Sequence, residues 1–492
     1  MLAHPLSRFT RLLLGMVAAT VASCLAAQSL PPEVEAALLR AKVPRDAVAM
    51  LVVDAEGRST PRLSYRSTAA MNPASVMKLV TTYAALDLLG PAYTWNTPVF
   101  IEGAVREGTL YGNLTIKGQG DPKLVVERLW LLLRRVQGLG VRSISGDIVL
   151  DRSAFLLPEA DPGGFDGEPL RPYNVAPDAL LVNFKSVVMT FVPDRSANTA
   201  QIQVDPPLAG VSVQTSVPLA GGDCADYRGS LRADFSDPAR IRFGGAYPAA
   251  CLEKVWPVAY ADPKSYNQRA VEGMWLEMGG KLGGTTREGK APAPQGVAAS
   301  PVFEVSSPTL AEVIRDINKY SNNVMAQQLF LTLSLPARTP APGNGTAGQS
   351  AQPAPATPEA SRDVLRRWWQ ERIGGTEAPL MDNGSGLSRN ERISAQALAR
   401  MLQTAYLSPL MPELVSSLPI TGIDGTLRRN RSRAYGSAHL KTGSLRDVVA
   451  VAGYVHAASG RRQVLVAIIN HANAGAARPA LDALLEWAVK DN

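Results

Sequence analysis

The chain has 492 residues, of which 46% are hydrophobic and 19% are charged, and its formal net charge is +7. This length predicts more than one domain, or one domain with large insertions. The balance of apolar and charged residues excludes a wholly disordered, collagenous or multi-spanning protein. No Lys/Arg block with interleaved aromatic residues occurs, so nucleic-acid binding is not predicted.

The N-terminus has the pattern of an export signal. Arg8 and Arg11 precede a short apolar stretch, residues 12–27, that ends in small side chains, as in a secretory signal peptide. We predict a signal peptide over residues 1–27. The alternative is a lipoprotein signal, which would leave a lipidated Cys24 at the new N-terminus. An exported, mildly basic chain would also suit peripheral contact with an anionic wall or membrane surface.

The first elements after the signal alternate between helix and strand. A helix is predicted over residues 30–45, and strands over 47–54 and 63–65. Asn72-Pro73-Ala74 breaks the chain, and residues 75–89 follow as an amphipathic helix. The apolar face of the first helix comprises Val34, Ala37, Leu38 and Ala41.

Residues 96–300 have a different pattern. Short β-like runs alternate with Gly, Pro and Asp turns, which predicts a β-rich inserted module. One helix is predicted inside it, at residues 125–139. The predicted strands of the module are 112–117, 146–151, 187–192 and 200–204.

The last part of the chain mixes helices and strands. Ser307-Pro308 opens a long helical region that runs to about Leu333. The Pro/Gly/Ala-rich residues 336–358 predict a flexible surface loop. The remaining predicted elements are helices over 363–372, 394–405 and 476–489 and strands over 439–442, 448–456 and 463–469.

Two cysteines remain once the signal is set aside, Cys224 and Cys251. An exported chain meets an oxidising compartment, so we predict that they pair as a disulfide. Two free buried thiols are the alternative. No histidine lies near either thiol in the sequence and the histidines show no ligand spacing, so neither a metal site nor a cofactor is predicted.

The first motif that carries chemistry is Ser75-Val-Met-Lys78. A serine hydroxyl is a weak nucleophile until a base takes its proton, and a lysine three residues later on a helix lies on the same face. Burial and the helix N-terminus both disfavour a charged lysine there. The spacing therefore predicts a serine activated by a neutral lysine, although S-x-x-K alone also occurs by chance in many helices.

The second motif is Ser321-Asn322-Asn323, inside the predicted helical region. The Ser321 hydroxyl would relay a proton to the leaving amine. The Asn323 amide would hold the lysine or a substrate carbonyl. Taken alone, the tripeptide fits a polar helix surface better.

The third motif is Lys441-Thr442-Gly443, on a predicted strand. A strand beside the nucleophile would pair with a peptide-like substrate. Lys441 and Thr442 would hold a terminal carboxylate, and Gly443 would allow close approach of the backbone. The N–H of Ser444 would join that of Ser75 as an oxyanion hole.

These three motifs, in this order, are the set found in penicillin-binding proteins and class A β-lactamases. Longer stretches make the resemblance more specific and extend it over nearly the whole mature chain. The chain resembles the class C penicillin-binding proteins of low molecular mass, the D-alanyl-D-alanine carboxypeptidase/endopeptidases of the penicillin-binding protein 4 (DacB) type, peptidase family S13. The matching stretches are Lys117–Pro122, Gly146–Phe155, Met381–Arg389, Leu418–Leu427 and His439–Leu445.

The resemblance implies an α/β fold. Its catalytic part would be a transpeptidase/β-lactamase-like domain, an antiparallel sheet flanked by helices, made of residues 28–95 and 301–492. Two β-rich domains would be inserted between the first and second motifs, over residues 96–300, with the cysteine pair inside them.

The resemblance also implies the roles given above for the motif residues, with Ser75 as the acyl-ester nucleophile. It adds Asp151, Phe155 and Arg389, which would form a pocket for the free end of the stem peptide's diamino acid. From the residues alone, Asp151 is equally a turn former and Arg389 a surface arginine. One departure from the family pattern is the extra Asn383.

The expected function is that of a periplasmic serine DD-peptidase. Its substrates would be peptidoglycan stem peptides, and β-lactam antibiotics would be covalent inhibitors. The alternatives are a β-lactamase or esterase on the same fold and a catalytically silent wall-binding protein. The balance of carboxypeptidase and endopeptidase activity and the oligomeric state stay open.

Overall fold

The chain divides into two units, each formed by segments that are distant in sequence. The computed structural model describes residues 29–292, 300–335, 354–375 and 377–491. The first unit contains the described residues up to Pro91, Ile314–Asn322 and those from Arg362 onward, and the second contains those of Ala92–Val313 and Asn323–Ser361. The domain boundaries expected from the sequence stay a prediction.

The strands of the described residues are numbered in chain order. They are β1 (Val48–Asp54), β2 (Leu63–Tyr65), β3 (Ala70–Met71), β4 (Asn96–Arg106), β5 (Thr109–Lys117), β6 (Ser143–Ile144), β7 (Ile148–Asp151), β8 (Ser186–Asp194), β9 (Thr199–Asp205), β10 (Ser212–Val213), β11 (Ser216–Ala220), β12 (Ala233–Asp234), β13 (Arg240–Phe243), β14 (Tyr247–Pro248), β15 (Lys254–Ala259), β16 (Lys281–Leu282), β17 (Thr286–Glu288), β18 (Phe303–Ser306), β19 (Ile393–Ser394), β20 (Ala438–Leu445), β21 (Val448–His456) and β22 (Arg462–Asn470).

The α-helices of the same residues are numbered in the same way. They are α1 (Pro32–Arg40), α2 (Lys78–Leu89), α3 (Val126–Gly138), α4 (Tyr227–Leu231), α5 (Tyr266–Glu277), α6 (Leu310–Tyr320), α7 (Asn323–Thr332), α8 (Pro358–Trp368), α9 (Ala395–Tyr406), α10 (Met411–Ser417) and α11 (Arg478–Lys490).

The first unit is built on an antiparallel sheet with the strand order β2-β1-β22-β21-β20. Helices cover both faces of this sheet, so almost every side chain of its inner strands is buried. These strands are therefore nearly continuous apolar runs in the sequence. The predicted apolar face of α1 packs into this core together with α11. On this sheet β20 is an edge strand. Its beginning is bridged by Ile420, which pairs with His439, and an edge strand can pair with a further chain along the rest of its length.

The second unit is β-rich, as predicted. One sheet runs β16-β6-β5-β4-β18 with β7 and β17 attached, a second runs β14-β11-β9-β8-β15, and a third runs β10-β13-β12. The predicted runs at 112–117, 146–151, 187–192 and 200–204 fall on β5, β7, β8 and β9, and the predicted helix is α3. Apolar side chains of these sheets, α3 and α5 share one core.

Some predictions concern residues that the structure does not describe. These are the signal peptide with Cys24, and residues 336–353 of the predicted loop. Within the described residues, no helix has the length and apolar content needed to cross a bilayer.

Cys224 and Cys251 form a disulfide in the second unit, as predicted. The bridge joins residues 27 positions apart, and Cys251 is buried in the shared core. Cross-linking a loop of this length restricts the unfolded chain, which is worth about 3–4 kcal/mol in the chain-entropy account.

Replacing both Cys224 and Cys251 by Ala should therefore lower the free energy of unfolding by about 3–4 kcal/mol. Urea unfolding followed by circular dichroism measures the loss. Reductant should destabilise the wild type to the same extent and leave the double variant unaffected. Identical unfolding midpoints for the wild type and the variant would contradict a stabilising bridge.

Candidate active site

Ser75 lies in a 3₁₀ turn, Ala74–Met77, that leads directly into α2. The α-helix was predicted to begin at Ser75 but begins at Lys78. Ala74 has a positive φ of 46°, and its N–H donates to Oδ1 of Asn72 (2.8 Å), which sets the tighter turn. Side chains three residues apart eclipse one another in 3₁₀ geometry. Consequently Nζ of Lys78 lies 2.9 Å from Oγ of Ser75 and donates to it.

The Lys78 side chain is completely buried. Its ammonium also donates to the carbonyl oxygen of Ser385 at 2.5 Å. Burial holds the pKa of Lys78 well below the ordinary 10.5, and the nearby charge of Lys441 lowers this pKa further. A lysine that is neutral at moderate pH can accept the proton of Ser75.

Ser321 lies in a break between two helices. A continuous helical region was predicted from Ser307 to about Leu333, but α6 ends at Tyr320 and α7 begins at Asn323. Ser321 has φ 58°, a left-handed conformation that an α-helix does not contain. This backbone interruption presents Oγ of Ser321 to Nζ of Lys441, which donates to it at 2.9 Å.

The end of α6 is anchored by polar contacts. Buried Lys319 pairs with Asp424 at 2.6 Å. Nδ2 of buried Asn318 donates to Oγ of Ser417 at 2.9 Å. These contacts fix the residues immediately before Ser321, so its hydroxyl has a defined position.

Lys441, Thr442, Gly443 and Ser444 lie consecutively on β20, a longer strand than the predicted 439–442. Lys441 is fully buried, and burial lowers its pKa to about 7. Oγ1 of Thr442 lies 2.8 Å from Oγ1 of Thr426. The oxyanion-hole role of the Ser75 and Ser444 N–H groups stays a prediction.

Gly443 allows β20 to contact the turn that carries Ser75. A Cβ atom at this position would lie 2.4 Å from the carbonyl oxygen of Pro73 and 3.1 Å from the nitrogen of Val76. Such a separation from backbone atoms is far shorter than van der Waals contact. The absence of a side chain therefore brings the strand and the nucleophile turn together.

A loop on the other side of the turn completes the surroundings of Lys78. A Cβ on Gly386, where φ is 79°, would lie 2.1 Å from the carbonyl oxygen of Ala74. Oγ1 of Thr81 donates to the carbonyl oxygen of Gly384 at 2.7 Å. The additional Asn383 closes this loop, because its Oδ1 accepts from both N and Oγ of Ser385.

Glu391 is a residue that the sequence analysis missed. Its Oε1 accepts from the N–H groups of Asp382 (3.1 Å) and Asn383 (3.2 Å), so it holds the loop that contacts Lys78. Its Oε2 is buried without a hydrogen-bond partner among the described residues. Burial raises the pKa of Glu391 to about 7, and its charge opposes the lowering of the Lys78 pKa. In the sequence, Glu391 lies between the charged residues Arg389 and Arg392, and this pattern does not indicate that Glu391 is buried.

The residues expected to bind the diamino acid lie in different units. Arg389, in the first unit, has an exposed side chain 3.8 Å from Oδ1 of Asp447. In the second unit, the oxygens of Asp151 accept from the N–H groups of Ser153 and Ala291. These contacts give Asp151 a turn-forming role, and its part in binding stays a prediction.

Phe155 and Asn323 also belong to the second unit. The Phe155 ring packs on Gly120, where a Cβ would lie 2.6 Å from the ring. Asn323 begins α7, and its Nδ2 donates to the carbonyl oxygen of Tyr173 at 3.1 Å. Substrate binding by these two residues stays a prediction.

A cleft of about 680 Å³ opens beside the two motif serines in the first unit. It is large enough for a ligand of several residues, since typical ligand pockets measure roughly 300–1,000 Å³. Its lining comprises Ser75, Ser321, Thr426, Leu427, Arg429, Asn430, Arg431, Leu440, Thr442, Ser444, Ala450, Val451, Arg478, Leu481, Asp482 and Leu485.

This arrangement defines a class of protein. A serine bonded to a buried lysine can form an acyl-ester, a second serine–lysine pair can move protons, and an edge strand can hold a peptide. The fold and site are those of a penicillin-recognising serine enzyme.

The profile of the D-Ala-D-Ala carboxypeptidase 3 (S13) family matches residues 30–490, and the chain belongs to this family. It is 23% identical to the D-alanyl-D-alanine carboxypeptidase DacB of Haemophilus influenzae, covering 84% of this chain and 83% of that protein. It is 26% identical to a D-alanyl-D-alanine carboxypeptidase of Actinomadura sp., covering 82% of this chain and 74% of that protein.

Solved structures show the same fold. The structure of penicillin binding protein 4 from Haemophilus influenzae has a TM-score of 0.69 and 20% identity, covering 92% of this chain and 99% of that one. A predatory peptidoglycan endopeptidase of Bdellovibrio bacteriovorus has a TM-score of 0.51 and 14% identity, covering 90% of this chain and 92% of that one. The predicted α/β fold with β-rich domains is thereby confirmed.

Gly443→Ala should slow acylation of the protein by a β-lactam by about 10²-fold, since displacing reacting groups by 1 Å has an effect of that size. The added Cβ would push β20 away from the Ser75 turn. Stopped-flow acylation kinetics measure the change. Gly475→Ala is the matched control, because a Cβ at Gly475 meets no atom within 4 Å. Equal rates for Gly443→Ala and the wild type would contradict this account of the strand.

Glu391→Gln should shift the acidic limb of the pH profile of kcat/KM to lower pH. The carboxylate of Glu391 raises the pKa of Lys78. Glu391 is ionised above its own pKa of about 7, and in that range its removal lowers the pKa of Lys78, so the lysine stays neutral to a lower pH. The limb reports the base of the free enzyme, and hydrolysis rates over a pH series measure it. Glu33→Gln, on the exposed side of α1, should leave the limb unchanged. An unmoved limb above pH 7, where Glu391 is ionised, would contradict the coupling in folded Glu391→Gln protein.

Proposed function

We propose that Ser75 is the acylated nucleophile with which this S13 family member hydrolyses D-Ala-containing peptides of peptidoglycan. The observation that carries the proposal is the 2.9 Å hydrogen bond between Nζ of Lys78 and Oγ of Ser75, with Lys78 fully buried. Family membership supports a serine-type D-Ala-D-Ala carboxypeptidase over a β-lactamase, an esterase or a silent binding protein.

Acylation begins with transfer of the Ser75 proton to neutral Lys78. Oγ of Ser75 attacks the carbonyl carbon of the D-Ala residue, and a tetrahedral oxyanion forms. The N–H groups of Ser75 and Ser444 would stabilise that charge, as backbone donors do in other acyl-transfer enzymes. Preorganised donors contribute because they need no reorientation as the charge develops.

Collapse of the tetrahedral species breaks the amide C–N bond. The leaving amine takes a proton that passes from Lys78 through the hydroxyl of Ser321, whose position is fixed by the bond from Lys441. Lys441 and Thr442 hold the carboxylate of the leaving residue. A carboxylate beside Lys441 favours the charged lysine, so substrate binding raises the pKa of Lys441 from its lowered value.

Water then hydrolyses the acyl-ester. Lys78 again accepts a proton, now from the water, and returns it to Oγ of Ser75 as the ester bond breaks. Release of a terminal D-alanine is carboxypeptidase activity, and release of a cross-linked strand is endopeptidase activity. β-Lactams would acylate Ser75 in the same way, and one structural neighbour was solved in a penicillin G-acylated form.

We also propose that the chain is exported to the periplasm and contacts the wall there. The Cys224–Cys251 disulfide supports this location, because such bonds persist in oxidising compartments. The basic and apolar pattern of residues 1–27 supports it as well. Lipidation of Cys24 is the alternative mode of attachment.

Ser75→Ala should abolish release of D-alanine and cleavage of cross-linked dimers when purified muropeptides are digested. The expected loss is about 10⁴-fold or more, as for other removed nucleophiles. Chromatography of the digest measures both products, and fluorescent penicillin should label the wild type only.

Ser437→Ala is the matched control, because this hydroxyl makes one long bond of 3.4 Å to the carbonyl oxygen of Tyr435. It should digest muropeptides at the wild-type rate. Wild-type protein that leaves monomers and dimers intact and takes up no penicillin would overturn the proposed function.

A further inference from the structure

The cleft beside Ser75 is more cationic than hydrolysis of a terminal D-alanine requires. Arg429, Arg431 and Arg478 line it, and we call these three residues the arginine subsite. No ion pair joins any of them to an acidic residue of the described part of the chain. Their positive charge is therefore available to a ligand.

The acidic group that lines the same cleft, Asp482, offsets at most one of these three charges. Oδ1 of Asp482 accepts from Nδ2 of Asn430 at 2.7 Å. Burial raises the pKa of Asp482, with Arg478 opposing the effect. Glu486, one turn later on α11, accepts from the backbone N–H of Arg433. The lining thus keeps an excess of positive charge.

The arginine subsite is linked to the strand that holds the leaving residue. Oγ1 of Thr442 contacts Oγ1 of Thr426, three residues before Arg429 in the chain. Nη2 of Arg478 donates to Oγ of Ser444 at 2.9 Å. Under the proposed mechanism Thr442 binds the carboxylate of the leaving residue, so the subsite lies beyond that residue, on the leaving side of the scissile bond.

The volume of the cleft also favours a leaving group larger than one amino acid. Its volume of about 680 Å³ lies within the range of roughly 300–1,000 Å³ that holds ligands much larger than one amino acid. Arg478 is also the first residue of α11, and the N-terminus of a helix favours nearby negative charge. A longer anionic leaving group fits both the volume and the charge.

We infer that the arginine subsite binds the leaving peptide of a cross-linked substrate through a carboxylate of that peptide. The inference rests on the proposed function. It assigns endopeptidase activity to this site, with a preference for substrates whose leaving peptide is acidic. The guanidinium groups donate two parallel hydrogen bonds to a carboxylate, a geometry that lysine does not offer. The chemistry is unchanged: the amide C–N bond breaks, and the amine of the leaving peptide takes the proton delivered through Ser321.

Two cross-linked dimers test the inference. One carries free carboxylates on the leaving peptide and the other carries the same groups as amides. The double variant Arg429→Gln/Arg431→Gln leaves the bond from Arg478 to Ser444 in place. It should raise KM for the free-carboxylate dimer by about tenfold or more, the size of a lost charged hydrogen bond. It should leave the amidated dimer and D-alanine release from a monomeric pentapeptide within about twofold of wild type.

Arg428→Gln/Arg433→Gln is the matched control. Both arginines are exposed and belong to the same segment, but neither lines the cleft. This variant should keep the wild-type preference for the free-carboxylate dimer. An equal loss in both variants would contradict the subsite, because it would reflect general surface charge.

Penicillin labelling distinguishes failure of the arginine subsite from failure of the proposed function. Wild-type protein that is acylated and cleaves both dimers with equal KM would overturn the subsite and leave the proposed function intact. Protein that is neither acylated nor active would overturn both. Thermal unfolding of each variant shows whether a loss of activity comes from a loss of fold. If the double variant is unstable, the single variant Arg429→Gln, on an exposed segment, should show the same selective rise in KM.

Discussion

Burial of two lysine ammonium groups is the constraint on which the catalytic unit depends. Lys78 and Lys441 are both fully buried, and each donates to one motif serine, Ser75 or Ser321. Keeping a charge in such surroundings costs several kcal/mol. The neutral form is therefore favoured, and a neutral Lys78 is the base that Ser75 requires. The same burial couples the two groups, because a charge on Lys441 lowers the pKa of Lys78.

The surrounding backbone is adapted to these lysines. Each ammonium donates to a main-chain carbonyl oxygen, that of Ser385 for Lys78 and that of Thr442 for Lys441. A carbonyl accepts a hydrogen bond without adding a full negative charge, which would raise the lysine pKa. Glu391 is the nearby carboxyl group that would do so, and its own burial raises its pKa to about 7.

The sequence predicted the parts of this site that depend on spacing. Local rules predict that Ser75 and Lys78 lie on one helix face and that Lys441–Gly443 form a strand. The order of the three motifs along the chain predicted that the motifs meet in one site. The 3₁₀ turn at Ser75 and the helix break at Ser321 were not predicted, since they depend on positive φ values at Ala74 and Ser321 that helical spacing does not specify.

Other features escape sequence reasoning because they depend on burial. Glu391 follows two polar residues in the chain and reads as a surface residue, yet it is fully buried beneath the Asp382–Leu387 loop. Asp151 matches a family binding position, but both of its oxygens accept backbone N–H groups. From the sequence alone, Arg429 and Arg431 are indistinguishable from solvated surface arginines, and only the structure shows the cleft that they line.

The central claim is that burial holds the pKa of Lys78 well below its ordinary 10.5, so that the lysine can act as the base for Ser75. Its most direct test is an NMR titration of protein labelled with ¹³C at the lysine ε carbons. The Lys78 and Lys441 signals are assigned by their loss in Lys78→Met and Lys441→Met. The account predicts that Lys78 titrates well below 10.5 and Lys441 near 7. Titration of Lys78 near 10.5 would contradict it, because a charged lysine cannot take the proton of Ser75.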